Sequence, residues 1–306
     1  MSAILAPHEL AYQFGGKRKS HYCMISLKGI KSGIRKFILR AVPLPVRKVV
    51  AIWINRQPYL DARRRSSMAE QLLEDFSQTD TEAYHRFMWR NHLGYAKNYV
   101  VGKRFGVENL HETRREFFAE LLRQCEGARL SPAKDFVSVL ELGCSLGYLL
   151  RFMETDIFPA AVRLEGIDID ERAVEEGMRH LRKVGSRVNL RQGDLACLDI
   201  MLVGAKFDFI LASGVLLYFN EASAAEIVSS MLSHANKMVA FTALAHPEVD
   251  NRDLTRSVPR ERDSTWIHNV DRMVVDAGGT ISGRRWDGDR VVDENTFYFV
   301  FAVPGN

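Results

Sequence analysis

The stretch VSVLELGCSLGYLL, residues 137–150, joins an apolar run to a turn of small residues. The run predicts a buried strand, after which Gly143 permits a tight turn and Gly147 lets a following helix begin close to the sheet. Glu141 lies within the apolar run, where an unpaired charge would be costly. We therefore expect either the backbone or a cationic ligand as its partner, at a turn that a ligand can approach closely.

The spacing of glycines in this turn argues against a dinucleotide site. The dinucleotide fingerprint needs glycine at the second and third positions of G-x-G-x-x-G. Counted from Gly143, those positions hold Ser145 and Tyr148. A cradle for a pyrophosphate is therefore not expected here.

Acidic residues follow the next two predicted strands, at the sheet edge where parallel α/β proteins bind ligands. Asp168, at the end of the second strand, suits the two hydroxyls of a ribose, because a carboxylate accepts from both. Asp194, after the third strand, suits an exocyclic adenine amine, with Leu195 on the ring face. An ordinary turn residue is the alternative for Asp194, and Asp170 is expected to cap the next helix.

Alternating strand and helix patterns are expected to position these residues. Strands are predicted at 137–142, 162–168, 187–192, 207–213 and 237–244, with helices at 170–184 and 221–235. Two further strand-like runs, TISGRRW and TFYFVFAV, end the chain and are expected to form an antiparallel hairpin at the edge. This alternation predicts a parallel sheet flanked by helices.

Four segments resemble, in their order and spacing, the motifs of class I S-adenosylmethionine-dependent methyltransferases: VLELGCSLGYLL, EGIDID, GDL and FDFILASGVLLYF. The resemblance covers about residues 135–304. The resemblance implies an α/β, Rossmann-like fold: a seven-stranded, mostly parallel sheet with an antiparallel last strand. It also implies S-adenosyl-L-methionine as the cofactor, with the methionine part near the first turn, the ribose at the second strand and the adenine near the third. The implied cofactor-binding residues are Glu141, Gly143, Cys144, Ser145, Gly147, Asp168, Ile169, Asp194, Leu195 and Ser213.

A hydroxyl acceptor would need a general base, most often a histidine. Many small-molecule members of the family carry a histidine after the fourth strand, where this chain has Tyr218 nearby instead. His246, just after the fifth strand, is the first choice by position. The other candidates are Tyr218, His268, His111 and His92. His92 belongs to an aromatic stretch, residues 84–105, that is expected to form either a lid over the site or a helical core.

Charge is distributed unevenly along the 306 residues. Residues 1–65 carry a net charge of +12, whereas the remainder carries −8. We predict three regions: a basic N-terminal arm at 1–65, a mainly helical cap at 66–130 and the catalytic domain at 131–306. The four cysteines form no C-x-x-C pair, so neither a disulfide framework nor a metal site is expected.

These features favour methyl transfer to a small-molecule, glycan or lipid acceptor, preferably at oxygen. The basic arm leaves open a nucleic-acid or protein acceptor, although the fourth strand lacks the [DNS]-P-P-[YFW] turn. A cofactor-binding accessory protein without catalysis is the third alternative. No uncharged apolar run reaches about 18 residues, and no signal-peptide pattern is seen, so a cytoplasmic protein is expected. Residues 1–65 are expected to form a helical arm that packs on the core with a solvated basic face; the alternative is peripheral contact with an anionic membrane, at its inner face, or with an acidic partner.

Overall fold

A computed structural model describes residues 41–57, 59–94, 105, 110, 112–292 and 295–305. The chain divides into two compact units, Met1–Val42 and Pro43–Asn306. Most of the basic arm, part of the aromatic stretch and His111 lie outside the described residues. The predicted boundaries near residues 65 and 130 therefore stay predictions.

The second unit contains a sheet of seven strands. In chain order they are β1 (Ser138–Leu142), β2 (Arg163–Asp168), β3 (Val188–Gln192), β4 (Phe207–Ser213), β5 (Ala235–Leu244), β8 (Thr280–Val292) and β9 (Asn295–Val303). The spatial order is β3-β2-β1-β4-β5-β9-β8. Strands β1 to β5 pair in parallel, and β9 is antiparallel to both β5 and β8. The predicted α/β fold, with an antiparallel last strand, is confirmed.

The terminal hairpin differs from the prediction in one respect. It forms, but its second strand, β9, inserts between β5 and β8. The antiparallel strand is therefore internal, and β8 takes the edge. Insertion buries Phe299 and Phe301 of β9, which would remain partly exposed at an edge.

Helices cover both faces of the sheet and also form most of the described chain before β1. Their bounds are α1 (Leu44–Asn55), α2 (Ala62–Leu72), α3 (Glu74–Thr79), α4 (Thr81–Arg90), α5 (Glu112–Gly127), α6 (Pro132–Asp135), α7 (Tyr148–Phe152), α8 (Glu171–Lys183), α9 (Leu198–Met201), α10 (Glu221–His234) and α11 (Val270–Asp276). A small two-stranded sheet, β6 (Val258–Arg260) and β7 (Thr265–Ile267), precedes α11.

Alternation along β1 explains the two-sided core. Leu140 and Leu142 belong to the hydrophobic cluster beneath α10 and α11, whereas Val139 belongs to the cluster on the opposite face. Successive strand side chains point to opposite faces, so an almost continuous apolar strand is buried on both sides. Phe117 of α5 stacks on Phe301 of β9 in the second cluster, which seats an N-terminal helix directly on the sheet.

The first four helices share a third cluster of buried side chains. It includes Leu73, Phe76 and Met88, and α1 is joined to α3 by an ion pair between Arg47 and Asp75. The arginine holds the pKa of the Asp75 carboxyl below its usual range, chiefly through its hydrogen bonds. At the start of α4, Asp80 accepts from the N–H of Ala83, and this cap fixes where the helix begins.

The described residues contain neither a membrane-spanning helix nor a cluster of metal-ligating side chains. None of the described helices has the length and apolar character needed to cross a bilayer. Nor do three or more His, Cys, Asp or Glu side chains of the described residues converge in a metal-binding arrangement.

Candidate functional site

The turn after β1 folds back against β2. The N–H groups of Gly143 and Cys144 donate to the carbonyl of Ile167 at 2.8 and 3.2 Å. Gly143 has a φ of +70°, and a Cβ placed on it would lie 2.8 Å from a methyl carbon of Val215. Both the left-handed backbone and the close approach require glycine at this position.

Asp168 is fixed by the same turn. Its Oδ2 accepts from the N–H of Ser145 at 2.7 Å, and its Oδ1 accepts from the N–H of Asp170 at 2.9 Å. Burial nevertheless raises the pKa of Asp168 to about 6, because desolvation disfavours the charged form more than these hydrogen bonds favour it. A carboxylate in this state is held in place and poorly solvated.

A cavity of about 290 Å³ lies beyond the carboxyl ends of β1 to β4. We call it the first cavity. Six of the ten predicted cofactor-binding residues line it, namely Gly143, Ser145, Asp168, Ile169, Asp194 and Leu195, as does Tyr218. Its other lining residues are Glu82, His85, Arg86, Trp89, Arg114, Tyr148, Gly214, Val215 and Phe219.

Four predicted cofactor-binding residues do not line this cavity. Cys144 is buried, and burial raises its thiol pKa well above the usual value, so it packs as a neutral side chain. A Cβ on Gly147 would lie 2.8 Å from Leu190, so this glycine lets the chain pass close to β3. Ser213 Oγ lies 3.0 Å from Thr242 Oγ1 and links β4 to β5.

Glu141, the fourth, is a buried acid with an incomplete set of partners. Its side chain is 2% exposed, and among the described residues nothing hydrogen-bonds Oε2. Burial raises its pKa well above the usual value, and the positive charge of Arg114 opposes that shift. An unsatisfied buried oxygen beside the first turn is the feature that a polar ligand would relieve.

Asp194 is engaged by helix α4. Its Oδ2 accepts from Nη2 of Arg90 at 2.9 Å and lies 3.4 Å from Nε of Arg86. Its Oδ1 accepts from the N–H of Ala196 at 3.2 Å. The helix and the end of β3 are thus joined at the place where the sequence predicts an adenine amine.

One face of α4 forms the wall of the first cavity. Glu82, His85, Arg86 and Trp89 follow the i, i+3, i+4, i+7 spacing that brings side chains to one side of a helix. Sequence reasoning predicted a lid from the aromatic residues here but did not select these four. The helical spacing was the available signal, yet a face packed on the protein core shows the same pattern.

A second cavity, of about 670 Å³, adjoins the first. The two share His85, Trp89, Gly214 and Tyr218. Its lining is polar as well as apolar, and includes Glu70, Glu74, Ser77, Gln78, Thr242, Arg260, Glu261, Arg262, Asp263, Ser264 and Thr265.

Tyr218 stands between the cavities in an aromatic group. Its ring centroid is 4.9 Å from that of His85 and 5.2 Å from that of Trp89. Burial raises the pKa of its phenol well above the usual value. Tyr218 is therefore a neutral hydroxyl group at neutral pH.

The three described histidines predicted as bases do not line either cavity. Nδ1 of His92 lies 2.6 Å from a carboxylate oxygen of Asp170, the N-terminal cap of α8. Nδ1 of His246 accepts from the N–H groups of Glu248 and Val249 at 3.2 and 3.3 Å.

His268 is 1% exposed, and both of its ring nitrogens are hydrogen-bonded. Nε2 donates to the carbonyl of Leu216 at 3.0 Å, and Nδ1 lies 2.7 Å from the hydroxyl of Ser257. Burial lowers its pKa, so the ring is neutral and occupied within the fold.

Comparison with known proteins gives a family match for part of the chain. A family model described as a methyltransferase domain matches residues 139–238, which contain the first turn, Asp168, Asp194 and Tyr218. No curated protein matches the chain in sequence.

Solved structures similar to this chain include three methyltransferases. Magnesium protoporphyrin IX methyltransferase of Synechocystis is 16% identical, with a TM-score of 0.46, and the match covers 81% of this chain and 100% of that one. The N-methyltransferase NodS of Bradyrhizobium japonicum is 17% identical, with a TM-score of 0.47 and coverages of 65% and 91%. An S-adenosylmethionine-dependent methyltransferase of Clostridium acetobutylicum is 11% identical, with a TM-score of 0.48 and coverages of 67% and 97%.

Proposed function

We propose that this chain, whose residues 139–238 match a methyltransferase domain, is an S-adenosylmethionine-dependent methyltransferase that acts on a small-molecule, glycan or lipid acceptor, with oxygen as the favoured acceptor atom. One observation carries this proposal: a second, polar-lined cavity adjoins the first and shares four residues with it. A methyl acceptor has to meet its donor in line and away from water. Two adjoining cavities with a common wall suit that requirement.

The residues of the first cavity fit the cofactor. Asp168 presents a fixed carboxylate for the ribose hydroxyls, and Asp194 with Leu195 suits the adenine. Near the first turn, the guanidinium of Arg114 lines the cavity and suits the carboxylate of an amino-acid end. The unsatisfied Oε2 of Glu141 is a hydrogen-bonding group beside the same turn for its amino group. When bound, the cofactor supplies an electrophilic methyl group on a positively charged sulfur.

The second cavity favours a compact acceptor over a polymer lying across the surface. At about 670 Å³ it falls within the usual size range of small-molecule sites. Its lining mixes carboxylates, guanidinium groups and hydroxyls, which suits an acceptor with several hydroxyl groups. A sugar, a glycan end or a polar lipid headgroup has that chemistry.

A fractionation experiment tests the proposal. The protein is incubated with methyl-labelled cofactor and a cell extract separated into small-molecule, glycan, lipid, RNA and protein fractions. We expect label in one of the first three, and the carbon-13 shift of the transferred methyl distinguishes a methoxy group from an N-methyl group. Label confined to RNA or protein would support the alternative acceptor class. Cofactor binding by calorimetry without label in any fraction would indicate an accessory protein.

An exposed apolar face on α1 favours membrane contact as an additional role. Val46, Val49, Val50 and Trp53 repeat at i, i+3, i+4 and i+7 and are 50, 66, 37 and 57% exposed. Arg56 and Tyr59, which follow α1 in the chain, are also exposed, and residues 1–65 carry the net charge of +12. We propose that this face lies in the headgroup region of an anionic bilayer.

Vesicle sedimentation tests the membrane role. We expect the protein to bind vesicles containing phosphatidylserine more strongly than pure phosphatidylcholine vesicles, and less strongly at high salt. The substitution Trp53→Ser should weaken binding. The control Val203→Ser changes a 79% exposed valine outside this face and should not. Equal vesicle binding by both variants would show that the exposed face of α1 does not contact the membrane.

A further inference from the structure

His85 lies in the wall that the two cavities share. It belongs to α4 and is only 7% exposed. Its ring centroid is 5.1 Å from that of Tyr84 and 4.9 Å from that of Tyr218, so its orientation is fixed by packing on both sides. The histidine therefore stands between the expected donor and acceptor.

One hydrogen bond determines the tautomer of His85. Nε2 lies 2.7 Å from the carbonyl oxygen of Ser264. A carbonyl only accepts hydrogen bonds, so Nε2 must carry the hydrogen, and Nδ1 of the neutral ring carries the lone pair. No described residue hydrogen-bonds Nδ1.

The surroundings of His85 keep the ring neutral. Burial lowers its pKa, which outweighs the hydrogen bond to Ser264 and the negative charge of Asp263. Asp263 is itself paired with Arg260, which reduces its effect. The neighbouring phenols of Tyr84 and Tyr218 have pKa values raised by burial and carry no charge. The ring is therefore in its proton-accepting form at neutral pH.

We propose that Nδ1 of His85 is the general base that accepts the proton of the acceptor hydroxyl. This inference rests on the proposed function. The acceptor oxygen bonds to the methyl carbon while the bond from that carbon to sulfur breaks, and the electron pair of that bond goes to sulfur. The hydroxyl proton passes to Nδ1, and the resulting imidazolium later returns it to solvent. Atoms and charge balance without a further reactant.

Other groups near the cavities suit this role less well. Burial keeps the phenol of Tyr218 protonated, so it can donate a hydrogen bond but accepts a proton only weakly. His268 already uses both nitrogens within the fold, and His92 and His246 lie outside both linings. Among the described histidines, His85 alone combines a free lone pair with a place in both cavities.

A substitution separates proton transfer from packing. His85→Gln keeps an N–H that can donate to the Ser264 carbonyl but has no basic nitrogen. With the labelled fraction from the function test as the probe, we expect the turnover rate to fall at least about 100-fold. The pH dependence of the residual rate should lose its acidic limb, while cofactor affinity and the unfolding midpoint stay unchanged. The control is His180→Gln, in the last turn of α8 and outside both cavity linings, which should behave as wild type.

Chemical modification tests the site without turnover. Diethyl pyrocarbonate acylates neutral imidazole nitrogens that are accessible, and mass spectrometry identifies the modified peptide. We expect His85 to be modified in the full chain and His268 to be protected, because its nitrogens are engaged. An unmodified His85 would overturn the proposal.

The outcomes separate this inference from the proposed function. If His85→Gln turns over as fast as the wild type, His85 is not the base, and the proposed methyl transfer is unaffected. Loss of cofactor affinity or stability in the variant also overturns the inference, because it shows a structural role. Absence of label in every fraction contradicts the proposed function, and the modification result then decides alone whether His85 is a reachable base.

Discussion

The carboxylate of Asp194 lies 2.9 Å from Nη2 of Arg90, which joins helix α4 to the end of β3 beside the first cavity. Both partners are partly exposed, so the pair adds only about 0.2–1 kcal/mol to stability. Movement of α4 away from β3 would require this ion pair to break, so under the lid prediction the pair matters more for access to the cavity than for stability.

We therefore expect Arg90→Ala to speed cofactor release several-fold with little change in unfolding free energy. Stopped-flow fluorescence of Trp89, which lines the cavity, would follow the release of S-adenosylhomocysteine. High salt should speed release in the wild type by screening the pair and should have less effect on the variant. The control Arg64→Ala removes an exposed partner of Asp61 outside the lining and should leave release unchanged. Identical release rates in both variants would contradict the lid role.

Removal of the Asp168 carboxylate should weaken cofactor binding. Asp168→Ala is expected to cost on the order of 2 kcal/mol of binding free energy, as for a lost charged hydrogen bond. Calorimetry with S-adenosylmethionine measures this directly. The control Asp276→Ala changes a 71% exposed side chain on α11 and should bind normally. Unchanged affinity in Asp168→Ala would remove the ribose assignment.

The same residue predicts how binding depends on pH. The pKa of Asp168 is about 6, so protonation below that pH removes an acceptor from the proposed ribose site. Affinity should fall as pH drops from 7 to 5, and Asp168→Asn should show weak, nearly constant affinity over this range. A wild-type affinity that does not change between pH 7 and 5 would contradict the prediction.

The free energy of unfolding should depend on pH in the opposite direction to the cofactor affinity. The pKa of Asp168 in the folded state lies above its ordinary value of 3.8, so the folded protein binds this proton more tightly than the unfolded chain. The contribution of Asp168 to unfolding free energy therefore rises as pH falls from about 6 towards 4, by up to about 3 kcal/mol. Urea titrations of the wild type and Asp168→Asn isolate it, since the variant lacks this contribution.

The sequence predicts the strands and the first cavity well because both depend on local patterns. Apolar runs identify the strands, and parallel strands bring their carboxyl ends to one edge, where Asp168 and Asp194 indeed lie together. The insertion of β9 next to β5 was not predictable from the same patterns. Strand neighbours depend on pairings between distant segments, and an antiparallel hairpin has the same local pattern at an edge or inside a sheet.

His85 illustrates why the second wall of the site escaped prediction. It reaches the site because α4, near residue 85, packs against the turn at Ser264, which lies 179 residues further along the chain. Nothing in the local sequence around either residue encodes that contact. His268 shows the reverse case: its place at the start of the last helical pattern made it a candidate base, yet the fold buries it and hydrogen-bonds both ring nitrogens.

His268 should therefore matter for stability. His268→Leu leaves the Leu216 carbonyl and the Ser257 hydroxyl without their partner, and we expect a loss of at least about 2 kcal/mol in unfolding free energy. The turnover of the protein that remains folded should stay near wild type. His246→Leu, which loses two longer hydrogen bonds at the surface, should cost less. Lost activity with unchanged stability in His268→Leu would contradict this interpretation.

Gly143 in the first turn can be compared with Gly185, which follows α8 and has a similar backbone conformation. Gly143 and Gly185 have φ values of +70° and +66°, so alanine is strained by about 1 kcal/mol at either position. Only at Gly143 would the new methyl group meet a neighbour, 2.8 Å from Val215, whereas nothing lies within 4 Å at Gly185. Urea unfolding should show that Gly143→Ala costs about 1–3 kcal/mol more than Gly185→Ala. Because the displaced turn also carries the N–H of Ser145 that holds Asp168, Gly143→Ala should weaken cofactor binding as well, and Gly185→Ala should not. Equal destabilisation and normal binding in both variants would show that the close approach of the turn to Val215 does not position the site.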